Sequence, residues 1–154
     1  MKAPHFDLPG VDGKRHSPAS ARGKNGLVVM FICNHCPYVK RSLDQILRDS
    51  RELAKQGIGS IAVMPNDPAY NGEDSFDNMR RVAKEKAFAF PYVIDETQDV
   101  ARAYDAVCTP DFYAFDNDLE LRYHGRLEDL VPAMTGAPPA KPVNSIGCSI
   151  KWKK

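Results

Sequence analysis

Residues 27–37 read LVVMFICNHCP, and this stretch decides the fold. Its first part is an unbroken run of β-branched, aliphatic and aromatic side chains without polar alternation, which predicts a strand buried on both faces. Pro37 fits the first turn of a helix, where its missing N–H costs no hydrogen bond, and Val39, Leu43, Ile46, Leu47, Leu53 and Ala54 recur at mostly helical spacing. The spacing predicts a helix over residues 37–56, stopped by Gly57. Residues 58–64 (IGSIAVM) read as a second short buried strand. Strand, helix and strand in this order predict a right-handed βαβ unit with parallel strands.

Two cysteines stand at the strand-to-helix junction of that unit. A thiol placed there faces unpaired backbone N–H groups and the positive end of the helix dipole, which stabilise its thiolate. Cys33 is read in that position, as the nucleophile. Cys36, expected one turn inside the helix, is read as the thiol that attacks a mixed disulfide on Cys33 and releases the partner in reduced form. Between them, His35 either favours the Cys33 thiolate as a nearby cation or is a solvated loop residue. The plainer reading of the pair is two buried or zinc-bound cysteines, and the βαβ context favours the dithiol.

Working outward, residues 6–17 hold Pro9-Gly10 and Asp12-Gly13, turn pairs that predict a hairpin packed at a sheet edge. After the second strand, a Pro-, Asn-, Asp- and Gly-rich loop (65–74) leads to an amphipathic helix from Phe76 to about Ala87 and a brief strand at Tyr92 to Ile94. A short helix near Gln98 to Ala106 precedes Thr109-Pro110, and a β-hairpin follows, with strands at 112–115 and 119–124. This predicts an α/β fold with a mixed central sheet flanked by helices. One domain over 1–154 is expected, with a loosely structured C-terminal tail at about 135–154, where four prolines fall between Pro132 and Pro142.

At 154 residues the chain is long enough to bury its own core. Its 21 Lys and Arg nearly cancel its 20 Asp and Glu, so no global field steers it to nucleic acid or to an anionic membrane. No apolar run approaches the about 20 residues of a spanning helix. The opening MKAPHFDLPG has Pro4, His5, Asp7 and Pro9 where a signal peptide needs an unbroken apolar stretch. With four cysteines, too few for a disulfide scaffold, the expectation is a cytoplasmic protein with a catalytic or metal-binding pair.

These residues together resemble the thioredoxin-like superfamily, and within it the redoxin branch that includes alkyl-hydroperoxide-reductase-like proteins. The strings PHFDLPGVDGK, FICNHCPYVK, VCTPDF and GCSIKW carry the resemblance. It implies that the helix and strand of residues 75–94 are the branch's usual insertion. It also implies that Thr109-Pro110 is a cis-proline site beside the dithiol, where exposed backbone can pair with an extended substrate. The residues alone favour an ordinary trans proline at a strand start. Thioredoxins usually carry Trp directly before the first cysteine and a buried Asp further upstream, and here those places hold Ile32 and Leu27. Proton transfer from Cys36 then needs water or another carboxylate, with Asp95 and Glu96 as candidates. Peroxiredoxins carry PxxxTxxC. Aligned on Cys36, the Pro and Thr places hold Val29 and Cys33.

Cys108 and Cys148 are candidate auxiliary thiols. Cys108 is read as a third redox partner or an inert buried thiol, and Cys148 as a resolving thiol or as packing with Ile146 and Ile150. The leading expectation is a thiol-disulfide oxidoreductase acting on a protein disulfide or an upstream thiol reductant. A thiol peroxidase using the same cysteines on small peroxides is the alternative. A carrier of Cu(I) or zinc, with Cys33, Cys36 and His35 or His124 as ligands, ranks last, because one CxxC lacks the ligand set of a structural zinc site. No cofactor is implied.

Overall fold

A computed structural model describes residues 1–136 and 147–154. In chain order its elements are β1 (Leu8–Pro9), β2 (Arg15–His16), α1 (Pro18–Ala21), β3 (Gly26–Phe31), α2 (Pro37–Lys55), β4 (Ile58–Met64), α3 (Phe76–Glu85) and β5 (Tyr92–Ile94). There follow α4 (Asp99–Ala103), β6 (Cys108–Thr109), β7 (Asp111–Phe115), β8 (Leu121–Gly125), α5 (Leu130–Thr135) and β9 (Cys148–Ser149). Short 3₁₀ turns at Gly72–Asp74 and Leu127–Asp129 precede α3 and α5.

The central sheet has the order β5-β4-β3-β7-β8. β3 runs parallel to β4 and antiparallel to β7, and β5 runs parallel to β4. The β1–β2 hairpin lies at the β5 edge, where Gly10 bridges Val93.

Every residue of β3 is buried, because layers cover both faces of the sheet. Val28 and Met30 point into one core, which Val39, Leu43, Ile46 and Leu53 of α2 and Met79 of α3 complete. Leu27, Val29 and Phe31 point into the other, with Phe6, Val100, Ala101, Tyr104 and Ile150. In that second layer the Tyr104 ring meets Phe31, Tyr113 and Phe115 edge-on.

Glycines set the close approaches behind the βαβ unit. Gly57 leaves α2 at φ +79°, the left-handed conformation that ends helices. Gly59 lies where a Cβ would stand 2.1 Å from the Ala21 carbonyl oxygen, so α1 can rest on β4 only without a side chain there.

The short α1, capped by Ser17, lies just after the expected hairpin, in residues for which no element was expected. One expectation changes. Of the expected loose tail, residues 137–146, including Ile146, lie outside the described residues, while residues 147–154 are fastened to the domain. β9 pairs with β6, and Ile150 is buried.

Replacing Gly59 with alanine should lower the urea unfolding free energy by about 1–3 kcal/mol through overpacking. The exposed Gly72, with nothing within 4 Å of its Cβ position, serves as the control, and its alanine variant should unfold at the wild-type midpoint.

Candidate functional site

Parallel pairing of β3 with β4 continues one residue past the strand, where the Ile32 N–H donates to the Val63 carbonyl at 3.0 Å. The chain then turns through Cys33, Asn34 and His35 and enters α2 at Pro37. Cys36 is the N-cap residue of that helix, with no side-chain cap bond. This corrects the sequence expectation, which put Cys33 at the helix start and Cys36 a turn inside. The helix begins at Pro37, one residue after the second cysteine, so Cys36 is the residue facing the free N–H groups.

Both sulfurs are buried, at 2% exposure for Cys33 and 0% for Cys36. Thr109 meets both. Its Oγ1 lies 3.4 Å from Cys33 Sγ, and its carbonyl oxygen 3.5 Å from Cys36 Sγ. The Thr109–Pro110 peptide is cis.

The two thiols interact through a hydrogen bond, and their ionisations are linked. That bond, joined by those from Cys148 and from the Val39 and Tyr38 N–H groups, lowers Cys36 against the opposing effect of burial. The same bond, then burial and the Asp74 charge, raises Cys33. The surroundings of the reduced pair thus favour a thiolate on Cys36 over one on Cys33.

Access differs in the opposite sense. A cavity of about 280 Å³ has Cys33 in its wall, together with Ile32, Leu43, Val82 and Phe88 and the exposed Lys86. Cys36 is not among its lining residues.

Asp74, at the end of the 3₁₀ turn before α3, holds the Cys33–Cys36 turn in place. Its Oδ1 accepts from the Asn34 N–H at 2.7 Å and the His35 N–H at 3.1 Å. Its Oδ2 meets His35 Nδ1 and accepts from Asn66 Nδ2 at 3.2 Å. Asn34 is fixed further, since it accepts from the Tyr92 hydroxyl at 2.8 Å and donates to the Glu73 carbonyl at 2.8 Å. His35 is thus neither a free solvated residue nor a neighbour of Cys33 alone. It is tied to a buried carboxylate.

Sequence reading missed Asp74 and named Asp95 and Glu96 instead. Asp95 is buried but caps α4, accepting from the Val100 and Ala101 N–H groups at 3.3 and 2.8 Å, and Glu96 is exposed. The GEDS stretch around Asp74 reads as polar loop, and nothing local in it points to a turn about forty positions away. A metal-capable trio also differs from the expected one. Cys33 Sγ, His35 Nδ1 and the Asp74 carboxylate lie within 4.8 Å of one another. His124 stands apart, with Nε2 at 3.0 Å from both Asp111 carboxylate oxygens and its ring stacked on Tyr113.

Cys108 and Cys148 both lie on the paired strands β6 and β9, next to the dithiol. Burial, then the Asp111 and Cys36 charges, raise Cys108. Cys148 is raised to about 11, first by burial and then by its hydrogen bond to Cys36.

Residues 1–124 match the model of the AhpC/TSA family. The thiol-disulfide oxidoreductase ResA of Geobacillus thermodenitrificans is 28% identical over 116 residues, which are 75% of this chain and 62% of that protein. The chain thus spans less than two-thirds of that curated relative. An uncharacterized conserved protein of Geobacillus kaustophilus, known by its crystal structure, is 40% identical, with a TM-score of 0.87 over 99% of this chain and 91% of its own. A thiol:disulfide interchange protein of the thioredoxin family from Chlorobium tepidum superposes with a TM-score of 0.71 at 20% identity, over 89% of this chain and 95% of its own. That likeness shows the thioredoxin-like fold.

Two variants test the site. In Cys33→Ala the hydrogen bond that does most to lower Cys36 is gone, so the ultraviolet thiolate absorbance should titrate at higher pH than in the wild type. Asp74→Asn turns an amide N–H₂ toward N–H donors and should cost about 1–3 kcal/mol of stability in urea unfolding.

Proposed function

The chain belongs to the AhpC/TSA family, and on that premise we propose that it is a thiol-disulfide oxidoreductase cycling Cys33 and Cys36 between dithiol and disulfide. One observation carries the reading: two buried sulfurs at a helix N-terminus, both in contact with Thr109, one of them lining an apolar cavity.

A substrate disulfide entering the cavity meets Cys33. As Cys33 Sγ bonds to one substrate sulfur, the substrate S–S bond breaks and the other sulfur leaves as thiolate. The Cys33 proton passes along the existing hydrogen bond to Cys36. Cys36 then attacks Cys33 Sγ, its proton goes to the departing sulfur, and the second substrate thiol is released. The substrate has been reduced by two electrons and the pair oxidised to a disulfide. An upstream thiol reductant must return it. Protein disulfides are the proposed substrates, and the proposed setting is the cytoplasm, whose thiol pools keep cysteines reduced.

A specific observation favours peroxide as a second substrate. The sulfur whose surroundings favour a thiolate is that of Cys36, the residue that occupies the cysteine place of PxxxTxxC. Attack of its thiolate on a peroxide would break the O–O bond to leave a sulfenic acid and, with one proton taken from solvent, an alcohol or water, and the Cys33 thiol would close the disulfide with loss of water. Val29 and Cys33 in the Pro and Thr places weigh against a dedicated peroxidase.

Insulin reduction separates these roles. Cys33→Ser should abolish it, and Cys36→Ser should trap a mixed disulfide on Cys33. Trapping on Cys36 in the Cys33→Ser protein, with none in Cys36→Ser, would reverse the order of attack. Peroxide consumption in stopped flow no faster than that of free cysteine would remove the second reading.

A further inference from the structure

The edge of β6, next to the cis-proline, is where backbone stands ready to pair with an extended chain. In this protein a later part of the same chain already pairs there. β9 lies antiparallel on β6, with Cys148 opposite Thr109 and Ser149 opposite Cys108. Thr109 is the residue whose hydroxyl and carbonyl lie beside Cys33 and Cys36. Cys148 is therefore the β9 residue that stands opposite the one residue touching both sulfurs. Its side chain packs against the core cluster that contains both dithiol sulfurs.

This seat is built on both sides of Cys148. Before it, a Cβ on Gly147 would stand 2.8 Å from the Thr109 carbonyl oxygen and 3.0 Å from Cys108 Sγ, so the strand comes this close only because position 147 has no side chain. After it, the Ile150 N–H donates to the Val107 carbonyl at 2.9 Å, and Ile150 is buried. The Lys151 N–H donates to Asn66 Oδ1, and its carbonyl accepts from Asp67 N–H and Gln98 Nε2. The buried Gln98 also accepts from the Lys153 N–H.

We propose that Cys148 is a third redox thiol of the site, exchanging with the Cys33–Cys36 disulfide through Cys36. The proposal rests on the dithiol reading above. In the step, Cys148 thiolate attacks Cys36 Sγ. The Cys36–Cys148 bond forms as the Cys33–Cys36 bond breaks, and Cys33 leaves as a thiolate that takes up the proton Cys148 gave to solvent. The protein's oxidation level is unchanged, so no outside oxidant is consumed. Cys33, facing the cavity, returns to the thiol form while the protein stays oxidised.

Electrostatics suit the sequence of events. After burial, the hydrogen bond to Cys36 and the charge there are what raise Cys148. Both effects are lost once Cys36 is in a disulfide. Cys148 thus ionises more readily when there is a disulfide for it to attack.

Oxidised glutathione and non-reducing peptide mapping test the exchange. In Cys33→Ser, glutathione attached to Cys36 should be displaced by Cys148, leaving a Cys36–Cys148 cross-link. Cys33→Ser/Cys148→Ser should retain about tenfold more glutathione adduct, as expected for loss of an intramolecular competitor. Gly147→Val, added to Cys33→Ser, should lose the cross-link with all its remaining cysteines intact and its far-ultraviolet circular dichroism unchanged. Equal adduct in the single and double variants would overturn the proposal. Failure of the wild-type protein to reduce insulin would count against the dithiol reading, while the Cys33→Ser map would still decide Cys148 by itself.

Discussion

A carboxylate with 1% exposure, Asp74, is where the segment between β4 and α3 meets the turn between β3 and α2. A buried charge is tolerable only when donors surround it, and here two backbone N–H groups, an imidazole and an amide do so. Three of these four donors come from the turn that carries both sulfurs, and the fourth, Asn66, from Asp74's own segment. Satisfying Asp74 therefore fixes the path of Cys33 and Cys36, and with it the contact of both sulfurs with Thr109. The same charge disfavours a second negative charge on Cys33 and helps leave it on Cys36.

The thiol pair is also confined by the layers around it. The β3 side chains alternate between two cores, and the strand ends where the sheet no longer covers it, leaving the CNHC turn between α2 on one side and the β6–β7 connection on the other. Cys33 opens into a small apolar cavity, whereas Cys36 is turned toward the backbone of Thr109. On the dithiol reading a substrate must bring a sulfur to that narrow place by way of the cavity, because β9 already pairs with the β6 edge.

Much of this could be read from the residues because it depends on local period. The apolar run before Cys33 can only be an internal strand, and Val39, Leu43 and Ile46 mark the buried face of α2. The hairpin turns and the end of α2 at Gly57 follow from backbone conformations that few residues adopt. Asp74 could not be read, because its partners are distant in sequence and its neighbours are those of any polar loop. The helix start at residue 37 was read correctly, and the N-cap place of Cys36 was missed because the helix end was assigned to the first cysteine of the pair although Cys36 is the residue directly before Pro37. Two-residue strands such as β6 and β9 have no period at all. Their pairing rests on the space beside Gly147 and on the bonds to Gln98, which only the folded chain reveals.

The attachment of β9 has a consequence for the order in which the molecule is assembled. Its bonds reach Asn66, Asp67, Gln98 and residues 107–109, groups that belong to three separate parts of the chain. No portion of that surface exists until the sheet and α4 have come together, so this segment docks on a finished template instead of helping to nucleate it. During synthesis Cys33 and Cys36 leave the ribosome long before Cys148, at chain elongation rates of roughly 5–20 residues per second. The nascent domain therefore passes through an interval in which the β6 edge is bare and the pair has no third sulfur beside it.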